Sequence, residues 1–197
     1  MKAFDLNRIG ELFFSTADIA NVLGISPVSA RVSASRYVRK KILVRLKRDV
    51  YIRADRMAYL TDGERFRLAN IIQTPSYISL TTALSYYGIS TQQMQNYVES
   101  VALKRTKRVV VNNLSFSYHL IKQEIYDRFE LRDGFFIAVP EKAVTDAIYL
   151  TSLGRYNCDF YAVDFTKVDK EKVDSYLKHT NRISESFWER LCENFKI

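Results

Sequence analysis

The excess positive charge of this chain lies between residues 31 and 56, in basic side chains that suit the binding of a polyanion. The segment holds ten Lys or Arg residues against two acidic residues, Asp49 and Asp55. Its net charge of +8 equals that of the whole 197-residue chain, because the other twenty basic and twenty acidic residues cancel. Such a local excess favours binding to DNA, although a solvated surface is the alternative that charge alone leaves open.

The residues around this segment follow the order of a helix-turn-helix. Ser15 can cap a helix, with Asp18 three residues later near its positive end. Gly24 follows where the chain must turn, and Gly adopts a positive φ without steric cost. Ser26 and Pro27 then open another helix, which the pattern extends to about Lys40. A further helix is predicted before Ser15, over residues 5–14, from its stripe of apolar residues.

The helix that begins at Pro27 has two distinct faces. Ala30, Ala34 and Tyr37 share one face and are predicted to be buried. The opposite face and the residues beside it supply the candidate contacts to bases and phosphates in a major groove. These candidates are Ser26, Val28, Ser29, Arg31, Val32, Ser33, Arg36 and Lys40. The two valines suit either contact with thymine methyl groups or packing against the first helix.

A hairpin with a basic tip is predicted after this helix. The β-prone runs 42–46 and 50–52 are joined by Lys47, Arg48 and Asp49. This is the pattern of the wing of a winged helix-turn-helix, whose basic residues usually contact phosphates and read little sequence. Arg45, Lys47 and Arg48 are therefore candidate phosphate contacts.

The rest of the chain, residues 57–197, is nearly neutral, with eighteen basic and seventeen acidic residues. Periodicity and turn signals predict a mixture of helices and strands. The predicted helices are 61–72, one capped by Ser79 or Thr81 that runs through Tyr87, one beginning at Pro140, 170–178 and 184–195. The predicted strands are 97–103, 109–111, 116–121, 129–131 and 135–139. We therefore expect an α+β fold, with a winged helix-turn-helix domain over 1–56 and an α+β domain over 57–197.

One basic cluster lies in this second domain, between two predicted strands. It comprises Lys104, Arg105, Lys107 and Arg108. The cluster is either a secondary contact with DNA or a partner, or a solvated hairpin loop.

Catalytic and metal-binding motifs are absent from the sequence. It has no nucleophile elbow, phosphate-binding glycine loop or zinc-protease motif, and the Cys and His residues lack zinc spacing. We therefore expect no enzymatic activity, no metal and no cofactor. No apolar run reaches 18 residues and the first residues lack a secretory pattern, so we expect a cytoplasmic protein without a membrane partner.

Three stretches of the sequence are similar to one known family. They are the segment from Ser15 to Ile52, residues 76–88 with Tyr-Ile-Ser-Leu…Ala-Leu-Ser-Tyr-Tyr-Gly, and residues 138–143 with Pro-Glu-Lys-Ala, followed by Asp146 and Tyr149-Leu150. On these residues the chain resembles the AbiEi antitoxins and transcriptional regulators of type IV toxin–antitoxin systems. It departs from them at Lys41 and Asp49, where similar proteins often have Gly, and both positions are predicted to need a positive φ.

The resemblance implies a bacterial regulator that represses its own promoter at inverted repeats of double-stranded DNA. It also implies that the second domain counteracts a nucleotidyltransferase-like toxin encoded nearby, without a stable complex being required. A winged-helix regulator with no toxin, whose second domain binds a ligand or protein through aromatic residues such as Tyr77, Tyr86 and Tyr87, is the alternative. A nucleic-acid-cleaving enzyme is the third hypothesis.

Overall fold

The structure is a computed structural model that describes residues 4–92 and 94–197. The chain divides into two compact units, residues 1–62 and 63–197. The division lies six residues beyond the boundary expected from the sequence. Each unit has its own secondary structure and is described separately.

The first unit is a winged helix-turn-helix, as the sequence predicts. A short 3₁₀ helix, Phe4–Arg8, precedes the main elements. These are α1 (Thr16–Leu23), α2 (Pro27–Arg39), β1 (Leu43–Lys47), β2 (Val50–Arg53) and α3 (Ala54–Met57). The two strands pair antiparallel and form the predicted hairpin directly after α2.

The helix predicted over residues 5–14 is wrong beyond its first turn. Only the 3₁₀ helix forms, and Phe14 instead exchanges two backbone hydrogen bonds with Tyr51 of β2, at 3.0 and 2.9 Å. Gly10 lies in the middle of the predicted helix, where the backbone freedom of Gly disfavours helical structure. Leu6 and Phe14 are nevertheless buried, so the apolar stripe still supplies the core from a non-helical segment.

The helix signals around the turn act as predicted. The side chain of Ser15 accepts from the backbone N–H of Asp18, and the carboxylate of Asp18 accepts from that of Ser15, which is a capping box. Gly24 has a φ of 59° at the end of α1. Ser26 caps α2 by accepting from the N–H of Ser29, with Pro27 in the first position.

The core of the first unit fixes which face of α2 is exposed. Ala30, Ala34 and Tyr37 of α2 are buried against Ile19 and Ala20 of α1, together with Leu43 and Tyr51 of the hairpin. Small alanine side chains on both helices allow the two backbones to approach closely. The face of α2 opposite these alanines therefore points away from the core.

The second unit contains a six-stranded sheet, five α-helices and three short 3₁₀ helices (Gln123–Ile125, Phe160–Ala162 and Phe165–Lys167) within the residues that the structure describes. The helices are α4 (Asp62–Ile72, whose first residue belongs to the first unit), α5 (Leu80–Tyr86), α6 (Pro140–Ser152), α7 (Lys170–Leu177) and α8 (Arg182–Phe195). The strands are β3 (Ser76–Ile78), β4 (Tyr97–Ala102), β5 (Lys107–Val111), β6 (Leu114–Leu120), β7 (Phe129–Arg132) and β8 (Phe135–Ala138). Each helix and strand predicted in this part of the chain is present, and β3 is an additional strand.

The order of the strands in this sheet corrects one prediction. The order is β5-β6-β4-β3-β8-β7, with β4 parallel to β6 and β3 parallel to β8. Because β6 lies between β4 and β5, residues 103–106 cross over a strand and are not a hairpin loop. Lys107 and Arg108 belong to β5 itself.

A buried polar network joins the two motif stretches of the second unit. One carboxylate oxygen of Asp146 accepts from the ammonium group of Lys142 at 2.6 Å. The other accepts from the hydroxyls of Tyr77 at 2.9 Å and Ser79 at 2.7 Å. Lys142 and Asp146 are 2% and 0% exposed, so this is a fully buried ion pair whose remaining acceptor positions are filled by hydroxyl groups.

Candidate nucleic-acid interface

The outward face of α2 carries the residues expected to contact DNA. Ser33 is half-buried and the other candidates on and beside this face are exposed. The exposed candidates are Ser26, Val28, Ser29, Arg31, Val32, Arg36 and Lys40. The helix sequence contains no acidic residue, so every charged side chain on this surface is positive. A small, polar N-terminal half and a basic C-terminal half suit a helix that enters a major groove.

Val28 and Val32 lie on this surface and do not pack against the first helix. Their side chains are 68% and 63% exposed. Of the two alternatives in the sequence, packing in the core is therefore wrong. Contact with thymine methyl groups stays a prediction.

The hairpin presents its basic residues through an irregular turn. The strand register shifts between Arg45 and Lys47, and the guanidinium Nε of Arg45 donates to the carbonyl of Lys47 at 3.2 Å. Asp49 follows with a φ of 58°, and Lys41, before the hairpin, has a φ of 56°. The two positions that depart from the family pattern thus adopt the left-handed conformation that was predicted for them. Arg45, Lys47 and Arg48 are all exposed.

A groove of about 390 Å³ lies on the surface of the first unit beside α2 and the hairpin. Its lining comes from α1, α2 and the two strands with their turn: Thr16, Arg31, Ser35, Arg45, Arg48, Asp49 and Tyr51. Three of the arginines predicted as DNA contacts therefore meet in one concave surface. We call these seven residues the arginine groove.

Asp49 is the single acidic residue of the arginine groove, and it is held at the N-terminus of α1. One of its carboxylate oxygens accepts from the backbone N–H of Thr16 at 3.0 Å and from the Thr16 hydroxyl at 2.6 Å. These hydrogen bonds, and to a smaller extent the charges of Arg31 and Arg48, lower the pKa of Asp49 below its ordinary value. Asp49 is therefore an anion among the arginines at neutral pH.

The structure adds Thr16, Ser35 and Asp49 to the residues predicted from the sequence. Ser35 could have been found, since it lies four residues after Arg31 on the same side of α2. Thr16 and Asp49 could not, because their contact joins residues 33 positions apart. Sequence periodicity does not report such a contact.

The basic cluster of the second unit interacts mainly with its own neighbours. The ammonium group of Lys107 lies 5.3 Å from the ring centre of Tyr118, and the guanidinium of Arg108 lies 5.6 Å from that of Tyr97. Arg108 also donates to the hydroxyl of Ser115 at 3.1 Å. Lys104 and Arg105 are exposed on the crossover segment. These cation–π and hydrogen-bond contacts favour a structural interpretation of Lys107 and Arg108.

A second polar cluster lies on the sheet of the second unit. The carboxylate of Glu99 accepts from the hydroxyl of Tyr156 at 2.9 Å, and that hydroxyl lies 2.7 Å from the hydroxyl of Thr81. Burial raises the pKa of Glu99 to about 7 and that of the nearby Cys158 thiol to about 12. A thiol with so high a pKa is a poor nucleophile at neutral pH.

The aromatic residues that the alternative hypothesis assigns to a ligand pocket belong to packed clusters. Tyr77 is completely buried and its hydroxyl bonds to Asp146. Tyr86 and Tyr87 pack edge to face, with ring centres 5.2 Å apart. Over residues 4–92 and 94–197, no group of three or more His, Cys, Asp or Glu could hold a metal ion. None of the helices in the same residues is long and apolar enough to cross a membrane.

Comparison with known proteins confirms the family resemblance over the first unit. Residues 2–54 match the family model described as "Transcriptional regulator, AbiEi antitoxin". The crystal structure of the RV2827C protein from Mycobacterium tuberculosis is similar to the chain, with a TM-score of 0.60 and 12% identity over 92% of this chain and 71% of that one. At this identity the likeness shows a shared fold. None of the curated proteins compared with the chain matches it.

Proposed function

We propose that this chain, whose residues 2–54 match the AbiEi antitoxin transcriptional regulators, binds and represses its own promoter and acts as a type IV antitoxin. Its partner is double-stranded DNA, at inverted repeats in that promoter. Its functional counterpart is a nucleotidyltransferase-like toxin encoded nearby. The proposed location is the cytoplasm, and neither a cofactor nor catalysis is part of the mechanism.

The observation that carries the proposal is the exposed, acid-free face of α2 beside the arginine groove. In the proposed complex, α2 lies in the major groove, where Ser29 and Ser33 meet base edges or phosphates and Arg36 and Lys40 supply positive charge. Charged groups of this kind bind DNA with an affinity that depends steeply on salt.

The hairpin is proposed to contact the phosphate backbone next to the major groove. Arg45, Lys47 and Arg48 then hold the register of the protein on the duplex without reading its sequence. Ser26, Val28, Arg31 and Val32 complete the proposed interface on α2. The weakest candidates for contact with DNA are Lys104, Arg105, Lys107 and Arg108. Two of them, Lys107 and Arg108, already lie over aromatic rings of their own unit.

The repressor function is tested by measuring the binding of the protein to its own promoter. Fluorescence anisotropy with a labelled promoter duplex and with a scrambled duplex of equal length gives specific and non-specific affinity over a range of salt. We expect the promoter to bind more tightly, with a negative slope of log affinity against log salt. Equal affinity for the two duplexes would contradict a role as a specific repressor.

The antitoxin function is tested separately by co-expression with the neighbouring nucleotidyltransferase-like gene. We expect growth to be rescued by the wild-type chain and also by an Arg36→Ala/Arg48→Ala variant, when both are expressed from an unrelated promoter. Rescue by both would separate the antitoxin function from DNA binding. No rescue, or no such neighbouring gene, would favour the regulator without a toxin.

A further inference from the structure

We propose that the arginine groove is a binding site for a DNA backbone phosphate. We also propose that the carboxylate of Asp49 competes with that phosphate for the donors and positive charges of the groove. This inference rests on the proposed DNA-binding function. It assigns to the groove one ligand, a phosphodiester, and to Asp49 a role in limiting affinity.

The first observation is what the Asp49 carboxylate bonds to. Its oxygen accepts from the backbone N–H and the hydroxyl of Thr16, at 3.0 and 2.6 Å, at the first position of α1. Unpaired N–H groups at the N-terminus of a helix, together with the helix dipole, form a common binding position for anions. The chain thus places its own anion on donors that suit a phosphate oxygen.

The second observation is the set of cations around the carboxylate. Arg31 comes from α2, Arg45 from β1 and Arg48 from the turn, and all three line the same groove of about 390 Å³. Their guanidinium groups match the geometry of phosphate oxygens. Asp49 reduces the formal charge of this surface from +3 to +2, and it would lie beside any phosphate that enters.

The negative charge of Asp49 is separable from its structural role. The bonds from Thr16 need an acceptor oxygen, which the amide of Asn also provides. The φ of 58° needs a residue that tolerates the left-handed region, and both Asn and Gly do so. Asp49→Asn therefore removes the charge and can keep the acceptor and the turn. Asp49→Gly removes both charge and acceptor while keeping the turn.

The test is the affinity of the purified full chain for its promoter duplex and for a scrambled duplex, measured by anisotropy at several salt concentrations. We expect Asp49→Asn to bind both duplexes more tightly, by the same factor of roughly two to five at low salt, with a smaller gain at high salt. The factor is the same for both because a phosphate contact carries no sequence information. Asp49→Gly should change affinity in the same direction.

The matched control is Asp55→Asn, which removes an equal charge from the same unit. Asp55 pairs with Arg53, and it does not line the arginine groove. We expect this variant to bind DNA as the wild type does. A gain of equal size in Asp55→Asn would show that net charge alone matters and would overturn the inference.

Two other results are decisive. If wild-type protein binds the promoter while both Asp49 variants melt like wild type and bind no more tightly, the inference is wrong and the repressor function stands. If the wild-type protein binds neither duplex, the proposed DNA-binding function itself fails, and the inference fails with it.

Discussion

The hydroxyl of Thr16 donates to the carboxylate of Asp49 at 2.6 Å, and this bond joins the start of α1 to the turn of the β-hairpin. The two residues are 33 positions apart in the chain. Through this contact, the turn that carries Arg48 is held against α1, the helix on which α2 packs. The geometry of the basic turn is therefore coupled to that of the helix-turn-helix.

Arg36 is predicted to contribute directly to promoter binding. Replacing Arg36 with Ala should weaken binding to the promoter by roughly 1–3 kcal/mol, because the exposed guanidinium would lose its groove or phosphate contact. Anisotropy at moderate salt measures the change. Arg190→Ala, which removes an exposed charge from α8 in the other unit, is the control. An unchanged affinity for Arg36→Ala would argue against placing this face of α2 in the groove.

Arg48 is predicted to contact a phosphate and not a base. Its replacement by Ala should weaken specific and non-specific binding to a similar extent, and should lower the slope of log affinity against log salt by about one. Titrations of the promoter and of a scrambled duplex at four or more salt concentrations measure both effects. A loss confined to the promoter duplex would instead indicate that Arg48 reads bases.

Breaking the buried pair of Lys142 and Asp146 is predicted to destabilise the second unit. Asp146→Ala should lower the free energy of unfolding by about 3–5 kcal/mol, because it leaves a buried ammonium group without a counter-charge. Lys142→Met should cost less, since Asp146 keeps its hydrogen bonds from Tyr77 and Ser79. Urea unfolding followed by the fluorescence of Trp188, the single tryptophan, measures both.

The reverse order of the two costs would contradict this account of the network. The control is Lys172→Ala, which removes an exposed lysine that pairs with Asp169 at 3.5 Å and with Glu141 at 3.7 Å. Because solvent screens such a pair, little change in stability is expected.

Glu99 is predicted to make the stability of the second unit depend on pH. Burial raises its pKa to about 7 from the ordinary 4.5, so the folded state holds this proton more tightly than the unfolded state. The protonated carboxyl makes its full contribution to the free energy of unfolding below about pH 4.5. As the pH rises to about 7, about 3 kcal/mol of that free energy is lost. Urea unfolding at closely spaced pH values measures it.

The matched variant for this prediction is Glu99→Gln, which keeps an acceptor for the Tyr156 hydroxyl but cannot ionise. Between pH 4.5 and 7, we expect the variant to lack the decline of the wild type, and to be the more stable of the two at pH 8. Parallel pH profiles for the two proteins would mean that Glu99 is not the group responsible.

The local signals of the sequence predicted much of the fold. Ser15, Gly24 and Ser26 mark helix ends through bonds that span at most a few residues, and the structure has those ends where they were predicted. The exposed face of α2 followed from the spacing of Ala30, Ala34 and Tyr37 in the same way. Such features depend on neighbouring residues, so periodicity and capping rules report them.

The features that were missed depend on distant contacts. Phe14 leaves the helical pattern because it pairs with Tyr51, and β3 is too short, at three residues, to show a strand period. The sequence favours a hairpin loop over residues 104–108 because β4 and β5 are consecutive in the chain, whereas in the sheet β6 lies between them. The arginine groove likewise forms only when α1, α2 and the hairpin come together.

The central position of β3 in the sheet has a consequence for any shortened form of the chain. This three-residue strand pairs on one side with β4 and on the other with β8, which begins some sixty residues later at Phe135. A product that stops before Phe135 would leave the middle of the sheet with an unpaired edge, a template for intermolecular strand addition. A fragment of the chain that ends in this region is therefore expected to aggregate through its second unit.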